Sequence, residues 1–308
     1  MARPSWLRRD RRGPAPTSPA LPPTFLDPEK EARFREVGHV VVDLLDADEL
    51  RRLAAAHERH HPAPSTTWDS DFFDPSPEVK ADVAKVIAET VQQGIDRHLV
   101  DHRPILSNFV VNWPGPDGGL PIHHHTSVVD DRRFRSVVAW CAVNDADEAN
   151  GTLHVVERSH LVPRGPWGEG RPHWFESRRD LMVEQHLTAV EVRAGQALLF
   201  DNSLLHCSFP NAGEQPRRSA VAIVVPNAAP LRYYRWLPSG QTEAYELDPQ
   251  FFIGNASPWG EWADPSGLPF LGTEPDTDTV ATEAEIDALL RPGTCSHEVS
   301  SVAYTSHP

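Results

Sequence analysis

The chain has 308 residues and a formal net charge of −15 at pH 7, with 44 aspartates and glutamates against 29 lysines and arginines. This acidic balance argues against nucleic acid and anionic membranes as partners. No apolar run approaches the ~20 residues of a membrane-spanning helix, and the N-terminus lacks the apolar segment of a signal peptide. Cys141, Cys207 and Cys295 have no metal-like spacing and indicate reduced thiols, so we expect a cytoplasmic protein.

Helical signals dominate the first hundred residues. Residues 1–24 lack an apolar period and are rich in arginine, proline and serine, so they predict a disordered lead. Asp27-Pro28 is typical of a helix start and Gly38 of its end, and the apolar run after Gly38 predicts a strand. Asp46 predicts a second helix with a capping box, and a longer amphipathic helix follows Ser76. Three histidines at the end of the second helix are expected to be exposed and to have no metal role: His57, His60 and His61.

From about residue 104 the hydrophobic period changes from helical to strand-like. Eight short runs separated by turn residues follow at 105–113, 122–129, 136–143, 152–156, 189–192, 197–200, 204–209 and 219–225. Many short strands with few helices between them are typical of a sandwich or barrel. We therefore predict an all-β core with N-terminal helices. After Pro226 we expect irregular chain, except for one weak helix at 283–290.

An insert at 163–184 interrupts the strand pattern. It is rich in charged, glycine and aromatic residues, which predicts a loop over one end of the barrel. Trp167 and Trp174 are candidates for contact with a substrate, with packing against the core as the alternative.

Three histidines in two distant stretches form the main candidate site. On a strand, side chains at i and i+2 share a face, so His123 and His125 are predicted to project together and His124 to the opposite side. His206 lies in another apolar, strand-like run. Two ligands from one strand end and one from a distant strand would form a metal site with open positions. The alternative is three unrelated surface histidines in a chain that has 16.

Several segments also match a known family in order and at consistent spacing. They are residues 34–42, Trp113-Pro114-Gly115, Pro121-Ile122-His123, Val138-Ala139-Trp140, residues 150–153, Ser159-His160, and the run from Ala194-Gly195 through His206 to Arg217. Together they resemble the phytanoyl-CoA dioxygenase family of iron(II)/2-oxoglutarate oxygenases. The resemblance implies a double-stranded β-helix of the jelly-roll, cupin-like type. We expect this domain at 25–265, after the disordered lead and before an irregular tail at 266–308.

The resemblance also implies the ligands of the metal. The family holds iron with a His-x-Asp pair on one strand and a distal histidine, which correspond to His123 and His206 here. His125 stands at the position of the aspartate, so a third imidazole replaces the carboxylate of the usual iron site. Histidine-only sites also suit zinc and copper, which leaves the identity of the metal open.

The resemblance implies a set of 2-oxoglutarate contacts as well. Arg217 stands where the family has an arginine that forks onto the distal carboxylate of 2-oxoglutarate, and Ser208 is placed to add a hydroxyl to the same carboxylate. Trp140 matches a family tryptophan near the cofactor, and His124 occupies the variable middle position of the His-x-Asp motif. Asn112 stands where many relatives have lysine.

The leading hypothesis is a non-haem iron(II)/2-oxoglutarate-dependent oxygenase that uses O2. Its substrate would be a small organic molecule, as in secondary metabolism, and the outcome hydroxylation, desaturation or cyclisation. Two alternatives stay open because of His125. One is a catalytically altered family member that binds metal and ligand without 2-oxoglutarate-driven oxygenation. The other is a 3-His dioxygenase that does not use 2-oxoglutarate. The sequence gives no signal for an oligomeric state.

Overall fold

The computed structural model describes residues 21–61, 68–255, 263–276 and 280–290. Three helices lie in the first hundred residues: α1 Pro28–Val37, α2 Ala47–His60 and α3 Pro77–His98. Helix α1 begins where the Asp27 carboxylate accepts two main-chain N–H groups, and it ends at Gly38, whose φ of 92° is left-handed. The predicted capping box of α2 is present. The three predicted helices are therefore confirmed, while residues 1–20 of the lead lie outside the described residues.

Two antiparallel sheets form the β core. The larger sheet has the order β1 (His39–Asp43), β8 (Gln196–Asp201), β5 (Val137–Ala142), β10 (Arg217–Pro226), β3 (His102–Asn112) and β2 (Trp68–Ser70). The smaller sheet has the order β4 (Leu120–His123), β9 (His206–Ser208), β6 (Leu153–Val156) and β7 (Leu187–Ala189). Non-sequential neighbours in both sheets are typical of a jelly roll.

Both faces of the larger sheet pack against other elements. Its outer face packs Phe109 and alternate β10 side chains against the apolar stripe of α3, which includes Val83, Ile87 and Val91. Its inner face packs Trp140 and Phe200, among others, against Leu153 and Val155 of the smaller sheet. Burial of such side chains stabilises the fold by ~1.5–3 kcal/mol each. The fold is therefore the predicted double-stranded β-helix, whose two sheets do not close into a barrel within the described ranges.

Two predictions differ from the structure near the histidines, one of a strand and one of a loop. The strand predicted at 122–129 ends at His123, and the chain continues as a loop. The main chain of this loop forms hydrogen bonds with other loops instead of with a neighbouring strand. The His125 N–H donates to the Asn202 carbonyl, and the Ser127 N–H donates to the Trp167 carbonyl. The 163–184 insert is not wholly a loop, because a 3₁₀ turn at Glu176–Arg178 leads into α4 (Arg179–Gln185).

The expectation of irregular chain after Pro226 is wrong. A third antiparallel sheet contains β11 (Arg232–Leu237), β12 (Gln241–Glu246) and β13 (Phe270–Pro275). Its pattern is hard to recognise because β13 is mostly exposed and shows no apolar alternation. Two short helices also occur, α5 (Gln250–Asn255) and the predicted α6 (Glu283–Leu289). Among the described residues, no helix is long and apolar enough to span a membrane.

The predicted exposure of the histidines at the end of α2 is also wrong: His57 is buried, and His60 and His61 are only partly exposed. His57 is buried and its ring stacks on His61 at 4.8 Å, because the end of α2 packs onto Phe109 of β3. The His61 ring lies between Asp69 and Asp71, 2.7 Å from the latter. Burial favours a lower pKa for His61, but the two carboxylates outweigh it and raise the pKa to about 9.

Candidate metal centre

The three predicted histidines converge in the structure. His123 ends β4 and His206 begins β9, and the two residues are paired directly across these antiparallel strands, with ring centroids 4.2 Å apart. The His125 ring lies 5.4 Å from that of His123 and 4.9 Å from that of His206. One nitrogen of each ring lies within 4.8 Å of the other two. Nitrogens that bind one ion at ~2.1 Å are at most ~4.2 Å apart, so small ring movements suffice to share an ion.

Each ring makes a hydrogen bond through Nδ1 that leaves Nε2 available. His123 Nδ1 lies 2.8 Å from the Pro121 carbonyl oxygen, and His206 Nδ1 lies 2.9 Å from that of Leu204. His125 Nδ1 lies 3.3 Å from Asn202 Oδ1. Because these oxygens are acceptors, each Nδ1 is protonated and each Nε2 carries a free lone pair. This is the arrangement that orients histidine ligands in metal sites.

The electrostatics of the cluster favour neutral rings. Burial lowers the pKa of His123 to about 3 and of His125 to about 4, and it lowers the pKa of His206 well below its ordinary value. For His123 and His206, the neighbouring rings lower the pKa further. A neutral imidazole is the form that binds a metal ion, so the cluster is ready for one at neutral pH.

Arg217 provides an unneutralised positive charge in the same interior. Its side chain is 1% exposed at the start of β10, and its guanidinium lies over the Trp140 ring, 5.0 Å from the centroid. Nη1 donates to Ser219 Oγ, whereas Nε has no partner among the described residues, and none of their carboxylates pairs with the guanidinium. Burial lowers the pKa of Arg217 to about 9. A buried, unpaired guanidinium is costly unless an anion binds there.

Phe200 connects the arginine to the histidines. Its ring lies 4.7 Å from that of His206 and 6.4 Å from that of His125, and it belongs to the same apolar cluster as Trp140. The histidines and Arg217 therefore face one interior between the two sheets. Asn112, opposite Arg217 on β3, is fully buried and its Oδ1 has no partner among the described residues.

The other predicted site residues occupy several environments. Ser208 is buried on β9, two residues past His206 and so on the same strand face. His124 lies outside the cluster, with its ring edge-on to Trp167 and near His173. Trp167 is 2% exposed and Trp174 packs on Phe175. These contacts are packing contacts, and a role of either tryptophan in substrate binding stays a prediction.

Sequence reasoning missed the residues that hold the loop after β4. Asn202 forms hydrogen bonds with both His125 and Thr126. The Ser127 hydroxyl accepts the Trp167 N–H at 2.7 Å and donates to the Asp131 carboxylate. No periodic pattern reveals such bonds, because they join side chains of irregular segments to main-chain groups far away in the sequence.

The inner face of the larger sheet is only half covered next to the site. Side chains on the outer face of β3 and β10, such as Phe109 and Ala222, are fully buried. Side chains that alternate with them on the inner face are partly exposed: Leu106, Asn108, Val110, Val221 and Ile223. They follow Arg217 along the sheet on the side of Trp140, which pairs with Val221. A largely apolar, partly exposed stretch of the sheet therefore borders the interior that contains Arg217 and the histidines.

Two facing antiparallel sheets with a partly buried histidine cluster define a double-stranded β-helix protein with a candidate single-metal centre. The family model for phytanoyl-CoA dioxygenase (PhyH) matches residues 34–219, more than half of the chain, and the chain belongs to this family. No curated protein sequence matches the chain.

Solved structures with the same fold have low sequence identity to this chain. The non-heme alpha ketoglutarate dependent epimerase SnoN from nogalamycin biosynthesis is 20% identical, with a TM-score of 0.50, over 87% of this chain and 98% of that one. The carbocyclase SnoK from the same biosynthesis is 18% identical, with a TM-score of 0.48, over 67% of this chain and 86% of that one. HygX from Streptomyces hygroscopicus, with nickel and 2-oxoglutarate bound, is 17% identical, with a TM-score of 0.48, over 66% of this chain and 88% of that one. The likeness to SnoN supports the fold alone.

Proposed function

We propose that the protein is a non-haem iron(II)/2-oxoglutarate-dependent oxygenase that acts on a small organic molecule. Family membership supports the reaction class. The observation that carries the proposal is the buried Arg217 guanidinium, which no described carboxylate neutralises, in the same interior as three neutral imidazoles. A metal-binding cluster beside an unpaired buried cation is complementary to a ligand that chelates a metal and has a second carboxylate.

The residues present fit iron and 2-oxoglutarate. His123, His125 and His206 would hold the ion through Nε2, and three protein ligands leave positions open for a chelating co-substrate and O2. Iron with 2-oxoglutarate supplies oxidation of a substrate C–H bond by O2, with succinate and CO2 as co-products. Arg217 binds and orients the distal carboxylate, and Ser219 holds the guanidinium against Trp140. Ser208 and Asn112 add polar groups near that end of the interior.

The third histidine changes the charge of the site. A carboxylate ligand would leave a divalent ion with one net positive charge, whereas three neutral imidazoles leave two. Together with Arg217, this excess positive charge favours a dianionic ligand in a buried environment. The protein therefore compensates for the missing aspartate by a stronger attraction for 2-oxoglutarate.

The partly exposed stretch of β3 and β10 that borders the interior supports a small, mostly apolar substrate. Four of its five side chains are aliphatic, and its one amide, Asn108, donates to Ser70 Oγ. Apolar surfaces with a few polar groups are typical of sites for small molecules. No charged group lies among these five side chains, so we propose a substrate whose reacting part is neutral.

A second function is favoured by one observation, the histidine at the position of the family aspartate. In this alternative the protein binds metal and 2-oxoglutarate but does not carry out the oxygenation. A 3-His dioxygenase without 2-oxoglutarate is disfavoured by Arg217, because such an enzyme needs no buried, unpaired guanidinium beside the metal.

The test is metal analysis and an anaerobic 2-oxoglutarate titration of the purified protein, followed by exposure to O2. We expect one iron(II) per chain, a visible charge-transfer band when 2-oxoglutarate is added, and succinate on oxygenation. A protein that gives the band but no succinate across a panel of small apolar substrates is the binding-only relative. Absence of both metal binding and the band contradicts the proposal.

A further inference from the structure

We propose that Asn202 is the positioning residue that makes His125 a metal ligand. The inference rests on the proposed metal site and concerns how this chain places an imidazole where its family has a carboxylate. Asn202 is buried directly after β8, and its own N–H is fixed by the Ser136 carbonyl at 3.1 Å. Its carboxamide therefore projects from a rigid position.

The rings of His123 and His206 are oriented by their own segments of the chain. Nδ1 of His123 and of His206 lies near the carbonyl oxygen two residues earlier, and the same pattern occurs at His102 and His154, which are not in the cluster. This contact is local and needs no other element. His125 lies past the end of β4, and its Nδ1 does not contact the carbonyl oxygen two residues earlier. The orientation of its ring therefore depends on a residue that is distant in the sequence.

Asn202 contacts the His125 segment at three points. The His125 N–H donates to the Asn202 carbonyl at 3.1 Å, and Asn202 Nδ2 donates to the Thr126 carbonyl at 2.8 Å. Because the Thr126 oxygen can only accept, the amide must face it with its NH2 group. Oδ1 therefore faces His125 Nδ1, which must carry the proton in order to donate. The lone pair is thereby fixed on Nε2, the nitrogen left for the ion.

The experiment uses Asn202→Ala and Asn202→Asp in the full-length chain. Asp keeps an acceptor for Nδ1–H, whereas Ala does not. In metal-free protein with 15N-labelled histidine, long-range 1H–15N spectra report the tautomer of each ring, with His125 assigned by comparison with His125→Gln. We expect the Nδ1–H tautomer of His125 in the wild type and in Asn202→Asp, and a mixture of tautomers in Asn202→Ala. His123 and His206 should be unchanged in all three proteins.

Binding of Co(II), used as the probe ion, gives a second readout. Asn202→Ala should bind Co(II) ~10–100-fold more weakly than the wild type, the usual cost of losing an outer-sphere partner, and Asn202→Asp within about fivefold of it. In a His125→Asp background, which has no Nδ1–H, the effect of Asn202→Ala should fall to less than threefold. Asn144→Ala is the matched control, since the Asn144 carboxamide also makes two hydrogen bonds to a distant segment, donating to the Pro216 carbonyl and accepting from the Arg218 N–H.

Three results would overturn the role of Asn202. These are an unchanged His125 tautomer in Asn202→Ala, equal losses of affinity in Asn202→Ala and Asn202→Asp, or a full effect of Asn202→Ala in the His125→Asp background. Failure of the proposed function is distinguishable, because it appears as absence of metal binding in the wild type. The tautomer measurement needs no metal and still decides whether Asn202 orients the ring.

Discussion

His123 and His206 are direct cross-strand partners in the β4–β9 pair. In such a pair the Cβ atoms are ~4.5–5.5 Å apart and the side chains share a face, so the sheet itself brings two imidazoles together. The third, His125, is supplied by a loop and needs its own support. Two ligands of the candidate centre are therefore set by strand register and one by loop contacts.

Loss of one strand ligand should abolish tight metal binding. We expect His206→Gln and His123→Gln to weaken Co(II) binding by more than the ~10–100-fold that outer-sphere changes cause, because a coordinate bond is lost. Isothermal titration calorimetry measures the Co(II) affinity of each variant. His154→Gln is the control, since His154 has the same Nδ1 contact to the carbonyl two residues earlier but lies outside the cluster. Equal affinities for all variants would contradict a metal site at these residues.

Replacement of His125 by aspartate separates the two functions still open. If the protein is an oxygenase, His125→Asp and the wild type should both form succinate. The variant should bind 2-oxoglutarate about tenfold more weakly, because the site loses one positive charge. Anaerobic titration measures the 2-oxoglutarate affinity, and a succinate assay measures turnover. Succinate from the variant alone would identify the natural protein as the binding-only relative.

Arg217 should be needed for 2-oxoglutarate and not for the metal. Truncating one partner of a buried charge pair costs ~2–5 kcal/mol, so Arg217→Met should weaken 2-oxoglutarate binding about 100-fold or more while Co(II) affinity is kept. Arg218→Met is the control, because Arg218 lies near Glu58, 3.9 Å away, and alternates with Arg217 along β10. An unchanged 2-oxoglutarate affinity in Arg217→Met would be incompatible with the assigned role.

Arg217 should also lower the stability of the ligand-free protein. A buried, unpaired charge is destabilising, and an apolar side chain of similar volume often restores or raises stability. We expect Arg217→Met without 2-oxoglutarate to have an unfolding free energy equal to or above that of the wild type, measured by urea denaturation. A clear loss of stability would show that the guanidinium has a structural partner.

The C-terminal sheet should stabilise the loop that carries His125. Asp276 pairs with Arg171 at 2.8 Å with both side chains mostly buried, and Arg171 lies over the Trp167 ring at 3.9 Å. Trp167 in turn bonds the main chain and hydroxyl of Ser127, two residues past His125. Asp276→Asn should cost ~2 kcal/mol or more and weaken Co(II) binding several-fold.

Hydrogen exchange of residues 163–175 and Co(II) titration test this coupling. The control is Glu285→Gln, which removes a half-exposed ion pair to Arg164 in the same insert and should have a much smaller effect on stability, because solvent screens this pair. Equal effects of the two substitutions would show that the buried pair does not support the loop.

Stability should depend on pH through His61. Its pKa in the folded state, about 9, lies above the ~6.5 of an unfolded histidine, so its stabilising contribution is complete below pH ~6.5 and is lost as pH rises to about 9. Asp69 and Asp71 cause the upward shift, and the neighbouring His57 stays neutral because burial lowers its pKa to about 3. His61→Gln should therefore lower the unfolding free energy by ~1–3 kcal/mol at pH 6 and by less at pH 9.5.

Urea denaturation at the two pH values measures the effect. His60→Gln is the matched control, because His60 pairs with the more exposed Asp82 on the surface of α3. A cost of His61→Gln that does not change with pH would mean that the ring stabilises the fold by packing alone.

The sequence anticipated much of the fold, and its errors have physical causes. The helices and core strands were predictable because their apolar periods match their buried faces. The sheet of β11–β13 was missed because exposed strands need no apolar alternation. The exposure of His57 and His61 was mispredicted because polarity does not reveal that a helix end packs onto Phe109 or that two aspartates surround an imidazole.

The sequence by itself determined the local periods, the helix caps, the family, and which histidines and arginine to consider. Only the tertiary structure decided that His123 faces His206, that His125 leaves the strand to be held by Asn202, and that Arg217 is buried with no carboxylate partner in the described part of the chain. The physical reason is the separation along the sequence of the residues that interact. Periods and caps arise from residues within a few positions of one another, whereas strand register, ring orientation and the burial of a charge depend on contacts between segments about eighty residues or more apart.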